Sequence, residues 1–501
     1  VTIPAAQQEV AGLLARVTGA APIETHISAV FVGRDDALKL KKAVALPFVD
    51  QSGLAARERF CRRELELNRP NAPGIYRDVV AVTRGPDGAL RLGGEGAALE
   101  WVLRMAPVPE GDFLDAVAAR GGLDAPMLDA LADAVVALLA AAPVAEGVDA
   151  VARMEFVLAG NVEGCLAVGL DAARLHDVEA TMRTRLAGVA PLLTERARAG
   201  FVRRCHGDLH LANLCLWEGR PVAFDALEFD EALARVDVGY ELAFLLMDLE
   251  VHLGQAAANR VMNRVLARSG DVAMLPALPF WLAQRALVRA KLEPARGRPG
   301  LPYLEAAERY LDPVAPRLVA VGGVQGTGKT FLARDIAPGL GAAPGALHLR
   351  SDEIRKRRAG VPPEQRLPAE AYAPEVSAAV HAEMFAAARA ALAAGRSVVL
   401  DAVFLDPAMR AAAASAACGA PFIGLWLEAP VEVLRARVEA RCEAGLRAPD
   451  RRDASDADVE VMERAAAVDP GPLGGWVRLD ASADPRGAAR KLLALKGDSG
   501  A

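Results

Sequence analysis

The run Gly323-Val-Gln-Gly-Thr-Gly-Lys-Thr330 constrains this chain more than any other segment. It satisfies G-x-x-x-x-G-K-S/T. It follows the apolar stretch Arg317-Leu-Val-Ala-Val and opens into Thr330-Phe-Leu-Ala-Arg-Asp-Ile-Ala. Strand, glycine-rich turn and helix, in that order, form the context the motif needs. Glycines let backbone N–H groups converge on one point, and a helix N-terminus adds partial positive charge, so such a loop suits an anion. In that geometry Lys329 reaches the β- and γ-phosphates of ATP and the Thr330 hydroxyl ligates Mg²⁺. Gly323, Gln325, Gly326, Thr327 and Gly328 supply the rest of the cradle. The plainer alternative is a tight strand-to-helix turn with an incidental lysine. Strand candidates at 318–322, 346–350, 397–401 and 422–428 alternate with long helices, which predicts an α/β domain with a parallel sheet over 313–501.

Downstream carboxylates decide what such a loop does. Leu-His-Leu-Arg-Ser-Asp352-Glu-Ile-Arg355 sets Asp352 just past a strand end, facing the crevice at the carboxyl edge of the sheet. Asp352 is the candidate to hold an acceptor hydroxyl and take its proton. Asp401 closes a second β-run, where it can orient Mg²⁺ through water or position the acceptor. Arg437 and Arg441 lie four apart on one helix face. They can close over the phosphates and neutralise transition-state charge, with Arg441 preferred, or be a solvated face. Arg447, Arg451 and Arg452 fall in a polar lid. On GGVQGTGKT, SDEIRKR, VVLDAVF and the R-x-x-x-R helix, residues 317–495 resemble small P-loop kinases of the gluconate kinase, chloramphenicol phosphotransferase, zeta toxin and polynucleotide kinase group. The resemblance implies Asp352 as acceptor base, with Arg355 near the acceptor. Nothing resembles the sensor and arginine-finger modules of ring-forming ATPases.

The first half carries a different signal. The opening third reads as a small, mostly antiparallel lobe. From about 110 to 312 the chain is helical, except for a hairpin candidate within 201–229. That stretch holds His206-Gly-Asp208-Leu-His210-Leu-Ala-Asn213, the spacing of H-R-D-x-x-x-x-N with Gly for Arg. Asp208 would accept the proton of an attacking hydroxyl, and Asn213 would reach a metal. Asp225, at the end of Val-Ala-Phe-Asp, stands where a second metal carboxylate belongs. His206 reads as a brace for the loop, and His210 as structural or functional. Asp237 reads as a cap or loop anchor, and Glu228 and Asp230 as candidates to line an acceptor pocket.

HGDLHLANL followed by FDALEF resembles the aminoglycoside phosphotransferase and choline kinase superfamily, over roughly residues 20–312. The resemblance implies a two-lobed, protein-kinase-like α+β domain over 1–312, with a small lobe at about 20–106 and a helical lobe at about 107–312. It also implies a phosphate-binding lysine on the third strand. Lys39 and Lys41 alternate onto one strand face and Lys42 onto the other; Lys39 is the first choice and Lys41 the alternate, against a reading of both as solvated edge-strand charges. Glu64 falls at the lysine-pairing glutamate. Met105 ends the strand that would act as the adenine-binding hinge. The hairpin Gly-Arg-Asp-Asp36 departs from the pattern, carrying no G-x-G-x-x-G.

Composition fits a multidomain chain. Its 501 residues predict two to four domains, and 53% hydrophobic residues allow sizeable cores. A formal charge of −6 argues against nucleic acid as a partner. Six scattered cysteines predict reduced thiols, the first twenty residues lack a signal-peptide pattern, and the apolar run 134–145 is too short for a bilayer; a cytoplasmic protein is expected. The whole chain resembles bacterial fusions of an aminoglycoside phosphotransferase-like domain with an ATP-binding kinase domain. The resemblance implies two ATP·Mg²⁺ centres that phosphorylate hydroxyls of small molecules. One alternative is a catalytic P-loop kinase regulated by a nucleotide- or ligand-binding first half. Another is zeta-toxin-like or polynucleotide 5′-hydroxyl kinase activity in the second. Oligomeric state leaves no sequence signal.

Overall fold

The structure, a computed structural model, describes residues 2–46, 49–448 and 453–495. Packing divides the chain into two compact units: Val1–Arg153 with Leu193–Asp248, and Met154–Leu192 with Leu249–Ala501. The division differs from the boundary expected at 313, because helix Gln255–Ser269, upstream of it, packs on strand Leu347–Arg350 of the second sheet.

In the first unit, six strands form an antiparallel sheet in the spatial order Ile23–Glu24, Ser28–Val32, Ala37–Lys41, Ala98–Met105, Tyr76–Arg84, Leu90–Leu92. Strand periodicity sorts its two faces. Leu38 and Leu40 join Phe31, Val82 and Val102 in a core closed by Val10 and Leu14 of helix Gln8–Thr18. The opposite face carries Lys39 and Lys41 and receives helix Leu54–Asn68. Every buried residue of that helix is polar or a thiol: Arg57, Cys61, Glu64 and Asn68, one stripe at helical spacing. Arg57 Nε donates to Glu100 at 2.9 Å, so the stripe is bonded rather than orphaned. The expected hairpin is present as Leu214–Trp217 paired antiparallel with Arg220–Ala223. Sequence reading missed helix Gln8–Thr18 and the two-stranded pairing of Val202–Arg204 with Arg235–Asp237.

The second unit contains a five-stranded, wholly parallel sheet in the order Leu347–Arg350, Val398–Asp401, Leu318–Gly322, Phe422–Glu428, Val477–Asp480. The strand feeding the glycine loop lies at the centre, buried along its whole length, as parallel strands covered on both faces are. The fifth strand was not expected; only Leu479 of its four residues is buried, so it lacks the apolar run that marks the three inner strands. No helix among the described residues is long and apolar enough to cross a membrane.

Candidate active sites

In the first unit, Lys39 Nζ donates to Glu64 Oε1 at 2.7 Å and to Asp225 Oδ1 at 2.6 Å. Lys41 Nζ donates to the other Glu64 oxygen at 2.7 Å and pairs with Glu228. Strand Ala37–Lys41 is internal to the sheet, which removes the solvated edge-strand reading. Burial disfavours charge on Lys39, but Asp225 and Glu64 outweigh it and hold the amine well above the ordinary lysine range. Lys42 points the other way, to Glu24 at 2.8 Å. Glu64 is fully buried between two ammonium groups. Each lysine keeps a second carboxylate, so removing Glu64 costs its charge-assisted hydrogen bonds alone, about 1.5–3 kcal/mol. Glu64→Ala is therefore expected to lower the unfolding free energy of the chain by that amount in urea titration; a loss below about 1 kcal/mol would contradict the pairing.

Asp225 enters the site from a left-handed backbone, φ 61°, a conformation rare outside glycine and tolerated by Asp. Its N–H donates to the Tyr76 hydroxyl at 2.9 Å, and the next N–H, of Ala226, donates to Asn68 Oδ1 at 2.8 Å. Burial would raise its carboxyl, but Lys39 dominates and lowers it. The Phe224 N–H donates to the Asn213 carbonyl at 3.1 Å, which ties Asp225 to the loop 206–213. Within that loop Asn213 Nδ2 donates to Asp208 Oδ2 at 2.9 Å. Asn213 thereby keeps Oδ1, and Asp225 keeps Oδ2, as hard oxygen donors of the kind Mg²⁺ takes. Asp208 is two-fifths exposed.

His206 shares a 2.8 Å hydrogen bond with the Phe224 carbonyl, a bracing contact. Gly207, at φ 90°, donates to Glu241 Oε1 at 2.8 Å; a Cβ there would sit 3.0 Å from Leu227. His210 Nε2 lies 3.4 Å from Asp208 Oδ2. Asp230 caps helix Glu231–Ala234. Asp237 anchors Arg196 at 2.8 and 2.9 Å. Met105 ends its strand in register with Ala37 and Tyr76.

In the second unit the glycine loop joins strand Leu318–Gly322 to helix Lys329–Ile336. Gly323 has φ 140°, and a Cβ on it would meet the Leu427 carbonyl oxygen at 2.4 Å. Thr327 Oγ1 donates to the Val324 carbonyl at 2.8 Å, and Lys329 Nζ donates to the same carbonyl at 3.0 Å. Gln325 Oε1 is buried without a hydrogen-bond partner among the described residues. Gly326 and Gly328 both hold positive φ, 87° and 85°. Burial lowers the Lys329 amine, only partly offset by Asp401 and Asp352. Thr330 Oγ1 donates to Asp401 Oδ2 at 2.6 Å, which pairs the hydroxyl and carboxylate that sequence spacing nominates for Mg²⁺.

Asp401 Oδ2 also lies 3.3 Å from His348 Nε2 and 3.5 Å from Arg350 Nε. Burial opposes charge on Asp401, but the His348 hydrogen bond and the nearby Arg350 and Lys329 win, and its carboxyl titrates far below the usual range. Asp352, second residue of helix Ser351–Arg358, goes the other way. Burial and the neighbouring Asp453 and Asp401 raise it against the pull of Arg350, which suits a proton acceptor. Arg350 also bonds Asp453 at 3.1 Å. Sequence reading missed His348, Arg350 and Asp453. The alternation in Leu-His-Leu-Arg placed His348 and Arg350 on one strand face, but nothing local showed that the face points at Asp401.

Arg441 donates to the Ala457 carbonyl at 2.6 Å, whereas Arg437 reaches the Gly326 carbonyl of the glycine loop at 3.4 Å and Ala481 at 2.8 Å. Arg355 bonds the Ala371 carbonyl and lies over the Tyr372 ring. Arg447 pairs with Glu443 at 3.2 Å; Arg451 and Arg452 lie outside the described residues.

Residues 318–468 match the family AAA_33, described as an AAA domain. The AAA_33 match begins on the first residue of the central strand and includes the glycine loop, Asp352, Asp401 and Arg441. An uncharacterized protein of Mycobacterium tuberculosis (strain H37Rv) is 29% identical over 464 residues, 89% of each chain. A gluconokinase structure from Sinorhizobium meliloti is 21% identical and covers 36% of this chain and 91% of its own, TM-score 0.25. A choline kinase structure from Cryptosporidium parvum is 10% identical and covers 58% of this chain and 87% of its own, TM-score 0.39. The chain thus carries an antiparallel sheet in its first unit and a parallel sheet in its second, where residues 318–468 match AAA_33.

Proposed function

We propose that the protein is a bifunctional ATP-dependent phosphotransferase acting on hydroxyl groups of small molecules, with one ATP·Mg²⁺ centre in each part. The observation that carries this reading is that the kinase-like part keeps a complete set. Lys39 is bonded to both Glu64 and Asp225, and Asp208 is bonded to Asn213. A half that only bound a ligand would not need all five.

At the first centre Lys39 would hold the phosphates of ATP, exchanging Asp225 for them. Asn213 Oδ1 and Asp225 would hold Mg²⁺, which supplies charge neutralisation on the transferring group. Asp208, exposed and positioned by Asn213, would accept the acceptor's proton. At the second centre Lys329 would exchange the Val324 carbonyl for phosphate oxygens. Thr330 and Asp401 would hold Mg²⁺ directly or through water, and the raised carboxyl of Asp352 would serve as base. Arg441, and Arg437 against Gly326, would close over the phosphates. Phosphoryl transfer needs little else from a protein than this positioning and charge.

Stoichiometry separates the reading from one in which the first half is regulatory and binds no nucleotide. Calorimetric titration with a non-hydrolysable ATP analogue and Mg²⁺ is expected to give two nucleotides per chain. A single nucleotide, lost on Lys329→Ala, would instead favour a P-loop kinase gated by an ATP-free first half.

A further inference from the structure

Strand Leu347–Arg350 is an edge of the parallel sheet. Its backbone groups on the open side need partners wherever that side is covered. Helix Gln255–Ser269 meets two of the backbone groups along this edge, both of them through Asn263. Asn263 Nδ2 donates to the Ala346 carbonyl at 3.1 Å, and Asn263 Oδ1 accepts the His348 N–H at 2.7 Å. A carboxamide that bonds the carbonyl of one residue and the N–H two residues on mimics a paired strand. Buried Asn259, one turn earlier, donates to the same Ala346 carbonyl at 3.0 Å, and its Oδ1 accepts from Asn263 at 3.0 Å, so the amide is oriented from both sides. Arg264 and Arg268 of the same helix bond Glu364 at 3.0 and 3.1 Å, a second grip beyond the strand.

The strand so held is the one that bears on the P-loop centre. His348 and Arg350 project from one face onto Asp401 Oδ2, at 3.3 and 3.5 Å, beside the Thr330 hydroxyl. Arg350 is also the register partner of Asp401 across the two strands. Asp352 follows within two residues. A shift of this strand would move both groups that fix the Asp401 carboxylate, and losses of this kind are steep, because a displacement on the order of 1 Å can cost about a hundredfold in rate.

We propose that Asn263 is a positioning residue of the P-loop centre: its carboxamide pins strand Leu347–Arg350 so that His348 and Arg350 hold Asp401 against Thr330. The proposal rests on reading that centre as a phosphotransferase. It makes a helix lying before the expected boundary at 313 a working part of the second centre.

The test uses the full chain with Asp208→Ala, so that ATP turnover reports the P-loop centre. Adding Asn263→Leu, similar in size but unable to form either bond, is expected to lower kcat at least about tenfold. KM for ATP should stay within about twofold because the glycine loop is untouched, and the Mg²⁺ concentration for half-maximal turnover should rise. In a His348→Ala background the same substitution should lose part of its effect, since only Arg350 then couples the strand to that carboxylate. Amide exchange over 346–350 should quicken. Asn263→Ser, which cannot bridge both groups, should give an intermediate loss and serves if the leucine variant does not fold. A kcat within twofold of the parent, or an equal loss with and without His348, overturns the proposal. If the parent shows no Lys329-dependent turnover, the phosphotransferase reading fails by itself; exchange over 346–350 then decides for Asn263, and unchanged exchange overturns it.

Discussion

Replacing Lys329 with alanine is expected to lower ATP turnover at the P-loop centre by roughly a hundred- to a thousandfold, the cost of deleting one preorganised charge from a transition state. The amine is buried and bonds the loop's own Val324 carbonyl at 3.0 Å. Burial depresses it, so part of its positive charge is destabilised until an anion arrives. The nearby carboxylates Asp401 and Asp352 oppose that depression. The side chain is therefore poised to trade a neutral carbonyl for phosphate oxygens. The measurement is turnover of the single variant beside the Asp208→Ala variant, with acceptors drawn from a broad metabolite panel. Lys329→Ala should leave any Asp208-dependent transfer intact. Equal activity of the variant and the parent at the P-loop centre would remove the basis for a second catalytic site.

Asp208→Ala should silence the first centre by roughly a hundred- to ten-thousandfold, the range that a positioned general base contributes, while nucleotide still binds there. The distinction follows from the geometry. Lys39, Glu64 and Asp225 form one bonded set, and Asp208 is joined to Asn213 instead. Removing Asp208 leaves the lysine network whole, so the calorimetric stoichiometry should remain two nucleotides per chain while phosphoryl transfer is lost. If transfer persists undiminished, Asp208 is not the base. If binding is lost together with transfer, the residue serves the loop's architecture and not the proton.

Much of the bonded arrangement at the first candidate site was legible because its parts are local. Asp208 and Asn213 share one loop, and Asp225 follows through one hairpin. The pairing of Lys39 and Lys41 on one strand face follows from a period of two. The role of helix Leu54–Asn68 was half legible: the resemblance nominates Glu64, but the segment itself reads only as a charged amphipathic helix. In the structure its buried stripe is Arg57, Cys61, Glu64 and Asn68. Hydrophobic patterning cannot reveal a helix whose inner face is polar, because the partners that satisfy it, Glu100, the two lysines and the Ala226 N–H, lie on distant strands and loops.

At the second centre Lys329, Thr330, Asp352 and Asp401 were legible from strand ends and the glycine loop. His348, Arg350 and Asp453 were not, since their convergence depends on strand order, and the strands of Arg350 and Asp401 pair although the chain between them runs from 351 to 397. The amino-acid sequence alone determined the two sheet types, the glycine turn and the local spacing of acids and amides, because these depend on periodicity and on backbone freedom within a few residues. Only the tertiary structure decided which helix covers the open edge of the parallel sheet, and so where the second centre begins. Edge-strand hydrogen bonds can be met by any well-placed amide, and Asn263 meets them from more than eighty residues upstream of His348.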